Sequence, residues 1–265
     1  MFNKIKDLLQ NKSYVQNVMI FVPNKSKPTK RNNGYVAKVL VLFRAKIACY
    51  GLRGYFARGL KHFFDHKDKY SRDNTKIFIV ILVGTILSLM SAFILSIDAL
   101  EIAKNPGVIL NCSINAIINC ATVAKSSFAE IFGFPNSFIG LISQPIFITI
   151  AIAGLFGVKF PRLFMFYAQI IYTFAFIFAY YLFFIGLFII QAVCPWCLVV
   201  TLSTTVVFFF LTRYNIREDN LYLSKRFAKK AKTFIDKDYD KLVLALMIFS
   251  VFAILITKYG TDLFA

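Results

Sequence analysis

Charge is scarce in this sequence, and negative charge is scarcer still. Only 17% of its 265 residues are charged, with 13 Asp+Glu against 31 Lys+Arg. A soluble domain carries about 25% charged residues. So little charge beside 58% hydrophobic residues excludes a disordered chain and argues against an ordinary soluble globule. Cysteine is limited to five residues, which does not fit a small secreted domain stapled by disulfides. No cleavable signal is visible: the first 76 residues lack a compact apolar segment followed by a small-residue cleavage site. Internal repeats and low-complexity linkers are missing as well.

What the sequence does have is long apolar runs. About 20 mainly apolar residues cross the hydrocarbon core as a helix. Ile77 to Ile97 is an uncharged run of twenty-one residues, and Ser137 to Val158 is uncharged too. Leu163 to Val193 runs thirty-one residues without a charge, more than one crossing needs. It must therefore tilt, bend near Gly186 or project from the bilayer. Cys194 to Thr212 and the shorter Leu242 to Thr257 complete the set. The expected fold is an all-α integral membrane protein with five transmembrane helices.

The net charge of +18 is sorted by these runs. Residues 1–76 hold 17 Lys+Arg, the 159–162 turn two and the 213–241 loop nine. The 98–136 loop holds only Lys104 and Lys125, and the tail 258–265 holds Lys258. Five crossings therefore put 28 basic residues on one face and three on the other. The positive-inside rule then predicts a cytoplasmic N-terminus, with the 98–136 loop and the C-terminus outside. In the basic arm, Val36, Val39, Leu40, Phe43 and Ile47 recur at helical spacing between Lys38, Arg44 and Lys46. This reads as an amphipathic helix on the inner membrane surface. No nucleic-acid recognition motif accompanies the charge, so no nucleic-acid partner is expected.

This topology also sorts the cysteines. Cys49 falls in the cytoplasmic arm and reads as a free thiol. Cys112, Cys120, Cys194 and Cys197 all fall on the outer side, where disulfides form and persist in bacteria. Cys194-Pro195-Trp196-Cys197 is the sharpest motif. A C-x-x-C at a helix start holds two sulfurs within bridging reach, and the helix N-terminus stabilises a thiolate. Pro195 suits the first helical turn. Cys197 leads directly into Leu198-Val199-Val200, so its sulfur lies at the membrane boundary, within reach of a lipid-soluble redox partner. The alternatives are a static disulfide clamping two helices and a zinc site. Zinc ribbons use two short C-x-x-C knuckles, whereas Cys112 and Cys120 are eight apart. The loop pair is either a structural staple or a mobile dithiol that meets a soluble partner.

The order Cys112-Ser-Ile-Asn-Ala-Ile-Ile-Asn-Cys120, Ser126-Ser127, Phe132-Gly133-Phe134-Pro135-Asn136 with Gly140, and then Cys194-Pro-Trp-Cys197 resembles the vitamin K epoxide reductase family. The likeness covers about residues 77 to 212 and is strongest to members from actinobacteria. It implies a four-helix catalytic core, here with a fifth helix. By this resemblance Cys112, Cys120, Cys194 and Cys197 are catalytic, and electrons pass from a thioredoxin-fold (DsbA-like) oxidase through the loop pair and the C-x-x-C to a membrane quinone. Cys120 would take the mixed disulfide with the partner, Cys112 would exchange with Cys194, and Cys197 would face the quinone. Asn136 matches the asparagine that hydrogen-bonds a quinone oxygen, and Ser127 or its neighbour Ser126 matches the serine near the pocket. Gly133 and Pro135 shape the loop.

Two departures qualify the likeness. Many bacterial members carry a fused thioredoxin domain after the fifth helix. Here eight residues follow Thr257, so the expected partner is a separate protein. The vertebrate enzyme has a tyrosine where this chain has Thr201, which favours plain quinone reduction over epoxide chemistry. The expected site is the outer face of the cytoplasmic membrane, with no metal. A quinone pocket should be apolar and aromatic with a few polar groups. The third span offers Phe164, Tyr167, Tyr172, Phe176 and Tyr180 for one, although most such residues serve lipid contact or helix packing. The competing function is a structural or transport membrane protein with static disulfides.

Overall fold

The computed structural model describes residues 69–263, apart from residues 109, 111 and 114–116. The amphipathic stretch at 36–47, Cys49 and the basic arm up to residue 68 lie outside the described residues. Among the described residues the chain is helical, without strands. Its α-helices are α1 (Lys69–Lys104), α2 (Cys120–Ala124), α3 (Ser137–Leu155), α4 (Arg162–Ile185), α5 (Pro195–Arg217), α6 (Lys225–Asp236) and α7 (Tyr239–Leu263). A 3-10 turn covers Ser127–Glu130, and a π turn extends α4 over Gly186–Ile190.

α1, α3, α4 with its π turn, α5 and α7 are each long and apolar enough to cross a membrane. Their outer surfaces carry large exposed apolar side chains, among them Met90, Ile142, Phe174 and Phe249. In water such a surface would drive association; in lipid it is the expected face. The chain is a multi-pass membrane protein.

Helix ends differ from the ends of the uncharged runs. α1 begins at Lys69 and continues to Lys104, well beyond Ile77 to Ile97. Charged residues stop the apolar run at the water boundary, but they are good helix formers and the backbone ladder continues through them. α7 exceeds its sixteen-residue run for the same reason. The 213–241 segment holds the last turn of α5 and the whole of α6. The overlong third run changes geometry at Gly186. There α4 widens into the π turn, and Gln191 takes a left-handed conformation with φ 57°. Ala192 and Val193 then lead into α5.

Four helices share one apolar cluster that includes Ile81 of α1, Ala151 of α3, Tyr172 of α4 and Val207 of α5. Phe147 meets Tyr172 edge-on with ring centroids 4.6 Å apart. α7 packs outside this group, where Val251 and Leu255 cluster with Leu187 of the π turn. Between membrane helices, small residues allow close backbone approach. At Gly154 a Cβ would overlap the ring of Phe78, itself 2% exposed and packed 4.8 Å from Tyr214. Gly154→Val should therefore destabilise the fold by about 1–3 kcal/mol, the usual cost of overpacking. Thermal unfolding in detergent or nanodiscs would read this as a lowered midpoint.

Candidate redox site

The site is assembled where the α1–α3 connection crosses the start of α5. Val193 N–H donates to the Ile117 carbonyl at 2.7 Å, and Asn119 N–H donates to the Val193 carbonyl at 3.2 Å. Ile118 and Val193 thus form a short parallel bridge. Cys120 follows Ile118 by two residues and Cys194 follows Val193 by one, so the bridge brings the two cysteines together. Asn119 also caps α2, its Oδ1 accepting from Thr122 N–H at 3.1 Å. Cys120 is the first residue of that helix and is 1% exposed. It is disulfide-bonded to Cys112, with Cα atoms 5.6 Å apart.

Cys194 is the N-cap of α5, and Pro195 occupies the first turn. Both cysteines of the motif are free thiols. The backbone N–H of Cys197 donates to Cys194 Sγ at 3.3 Å. A stabilised Cys194 thiolate is what a helix start is suited to provide.

Next to these sulfurs lies a cavity of about 220 Å³. It exceeds the roughly 150 Å³ that accommodates a benzene ring. Cys120, Cys194 and Cys197 line it. Ala92, Gly140, Ala175 and Ala179 are the small residues of its wall. Its deeper wall includes Gln144, Thr201 and Thr204, all buried. Sequence reasoning had not singled out Gln144 or Thr204.

Each residue expected at the site has a definite position. Asn136 lines the cavity, and its side chain also ties the preceding turn. Its Nδ2 donates to the Phe128 carbonyl at 2.7 Å and its Oδ1 accepts from Ile131 N–H at 3.3 Å. One amide hydrogen remains for another acceptor. Ser126 lines the cavity as well, donating from Oγ to the Val123 carbonyl at 2.7 Å. Ser127 is exposed at the start of the 3-10 turn and is not part of the wall.

The five third-span aromatics serve lipid contact and helix packing, as expected for most of them. Phe178 and Phe183 line the cavity, and none of Phe164, Tyr167, Tyr172, Phe176 and Tyr180 does. Phe164 and Tyr167 are exposed and Tyr172 fills the core. Phe176 stacks on Phe208 of α5 at 4.4 Å, while Thr205 Oγ1 donates to the Tyr180 hydroxyl. Ala175, Ala179, Leu182 and Gly186 share one face toward the cavity. Tyr172 belongs to that face too but lies a turn further in, where it fills the core, whereas Phe176 and Tyr180 turn toward α5. A stripe of small residues, rather than an abundance of rings, was the signal in the sequence.

The burial of the loop pair runs opposite to the order drawn from the resemblance. Cys120 is packed with Cys194 in one cluster, whereas Cys112 is half-buried, packs at the edge of that cluster and does not line the cavity. Cys112 is therefore the outer sulfur and Cys120 the inner one.

No curated protein matches the sequence. The family model described as "Vitamin K epoxide reductase family" matches residues 79–212, half of the chain, and this stretch contains both cysteine pairs and the whole cavity wall. The chain belongs to the vitamin K epoxide reductase family.

Proposed function

We propose that the protein is a thiol–quinone oxidoreductase of the cytoplasmic membrane that reoxidises a thioredoxin-fold oxidase outside the cell membrane. Family membership supports thiol–disulfide chemistry. The observation that carries the rest is that three of the four redox sulfurs line one cavity. In this reading α1, α3, α4 and α5 form the catalytic core and α7 is an accessory. The charge asymmetry supports an inward N-terminus and an outward site.

The residues of the cavity fit a quinone. Its walls are mostly apolar, with Phe178 and Phe183 among them and few polar groups. Gln144 is buried on the wall, and its Oε1 has no hydrogen-bond partner, which suits the hydroxyl of a reduced ring. Asn136 has a spare amide hydrogen for a ring oxygen. When bound, a quinone supplies an acceptor for two electrons and two protons. The protein's part is to deliver them. A reduced partner attacks the loop disulfide at its outer sulfur, Cys112. Cys120 then exchanges with Cys194, and the reduced Cys194–Cys197 pair hands the electrons onward from Cys197. Thr201 donates to the Cys197 carbonyl at 2.9 Å and offers no phenol to the cavity, which favours simple quinone reduction.

Expression in a bacterium that lacks its own quinone-coupled disulfide oxidase tests the proposal. Periplasmic proteins should regain their disulfides, and Cys197→Ala should abolish the rescue. Failure to restore them at matched membrane levels would overturn the reading, as would rescue that survives Cys197→Ala.

A further inference from the structure

Asp98 stands near the outer end of α1, half-buried, with its Oδ2 3.7 Å from Cys112 Sγ. Its position is anchored. Ser96, two residues earlier, is buried and donates to Ser137 Oγ of α3 at 2.9 Å. Leu95 and Ile102, on either side of it, pack against the cluster that contains Cys120 and Cys194. The relay described above makes no use of this carboxylate. Among the described residues, the titratable groups around Cys112 are Asp98 and the more exposed Glu101 from α1, Cys120 from α2, and Cys194 and Cys197 from the start of α5, and none of these is a cation.

In thiol–disulfide exchange the departing sulfur takes the negative charge, and a sulfur whose thiol has a higher pKa departs more slowly. A carboxylate beside one sulfur opposes charge at that sulfur. We propose that Asp98 polarises the loop disulfide, so that attack occurs at Cys112 and the electron pair leaves on Cys120; this rests on the thiol-relay reading. The partner thiolate forms a bond to Cys112 Sγ as the Cys112–Cys120 bond breaks. The Cys120 thiolate attacks Cys194 of an oxidised Cys194–Cys197 pair and releases Cys197 as thiolate. The partner's second thiol, losing its proton, closes the partner disulfide and releases Cys112 as thiolate. Next to Asp98 that thiolate is more basic and a stronger nucleophile. It attacks Cys120, restores the Cys112–Cys120 bond and releases Cys194 as thiolate. Two electrons have moved from the partner to the C-x-x-C pair. The reverse polarity, attack at Cys120, would force charge onto Cys112 beside the carboxylate.

The test uses the reduced full-length protein in nanodiscs. Iodoacetamide labelling is followed across pH and read at each cysteine by mass spectrometry. Asp98→Asn should lower the pH midpoint for Cys112 by about one unit, the smaller end of the effect of a neighbouring charge. Asp98→Glu, which keeps the charge, should stay near wild type. An unchanged midpoint in Asp98→Asn overturns the proposal. Equal shifts in both variants also overturn it, because side-chain shape rather than charge would then be responsible. Thiol-driven quinone reduction is measured on the same wild-type sample. Its absence would count against the relay itself, while the Cys112 midpoints would still decide the role assigned to Asp98.

Discussion

Replacing Cys120 with alanine should abolish thiol-driven quinone reduction and leave a protein that forms its mixed disulfide at Cys112. Removing a covalent catalytic group costs on the order of 10³-fold or more in turnover, so residual activity should be close to background. The two loop cysteines should then differ in what they trap. In Cys120→Ala, Cys112 is half-buried at the outer edge of the site. It can attack an oxidised partner, and no neighbouring loop thiol remains to release it. In Cys112→Ala, Cys120 stays 1% exposed against Cys194. Mild oxidation should yield a Cys120–Cys194 bond and little partner adduct. Non-reducing electrophoresis with peptide mapping separates these species. A partner adduct at Cys120 in Cys112→Ala, together with a Cys112–Cys194 bond in Cys120→Ala, would reinstate the order suggested by family resemblance.

The difference in burial between Cys112 and Cys120 could not be read from the sequence, and the physical reason is specific. Burial of Cys120 depends on the bridge between Ile118 and Val193, a pairing across seventy-five positions that no local pattern signals. The five crossings were legible because hydrocarbon imposes a length and an absence of charge on each. Their ends were not, since the helical ladder of α1 and α7 continues through charged residues after the bilayer stops selecting against them. The start of α5 was legible to the residue, because a cysteine followed by proline has the chemistry of a cap and a first turn. The strain on the long third run was also visible, and Gly186 is where the π turn begins. The cavity was the least legible feature. It is defined by what α1, α3 and α4 omit, at Ala92, Gly140, Ala175 and Ala179. Composition could not separate Phe178 and Phe183, which line it, from the packing and lipid-facing rings of the same helix.

At the opposite end of the molecule, Arg213→Met should loosen α7 from α5. Arg213 Nη1 donates to both carboxylate oxygens of Asp240 at 2.7 Å, and Nη2 donates to Asp238 at 2.9 Å. The Arg213 and Asp240 side chains are only 12% and 13% exposed. Asp240 also sits in the first turn of α7, where the helix dipole favours a carboxylate. Removing one member of a buried pair strands the other, at a cost of about 3–5 kcal/mol. Asp238 contributes far less because it is 53% exposed and solvent screens it. Lys241 and Arg213 hold its carboxyl below the usual range against slight burial. Its contribution is therefore present at neutral pH and fades only as pH falls through that depressed value. Arg213→Met should lower the unfolding midpoint at neutral pH, and adding Asp240→Asn should recover part of the loss by removing the stranded charge. If the double variant is no more stable than Arg213→Met, the pair is not the source of the effect. The end of α7 nearest the cysteines provides an internal comparison. There Tyr259 donates its hydroxyl to the Leu187 carbonyl at 2.9 Å, and Lys258 reaches the same oxygen. This contact fixes the π turn that leads to Cys194, and it is independent of Arg213. The arginine variant should therefore cost stability while leaving the Cys194 labelling profile close to wild type, whereas Tyr259→Phe should disturb that profile at a smaller cost in stability.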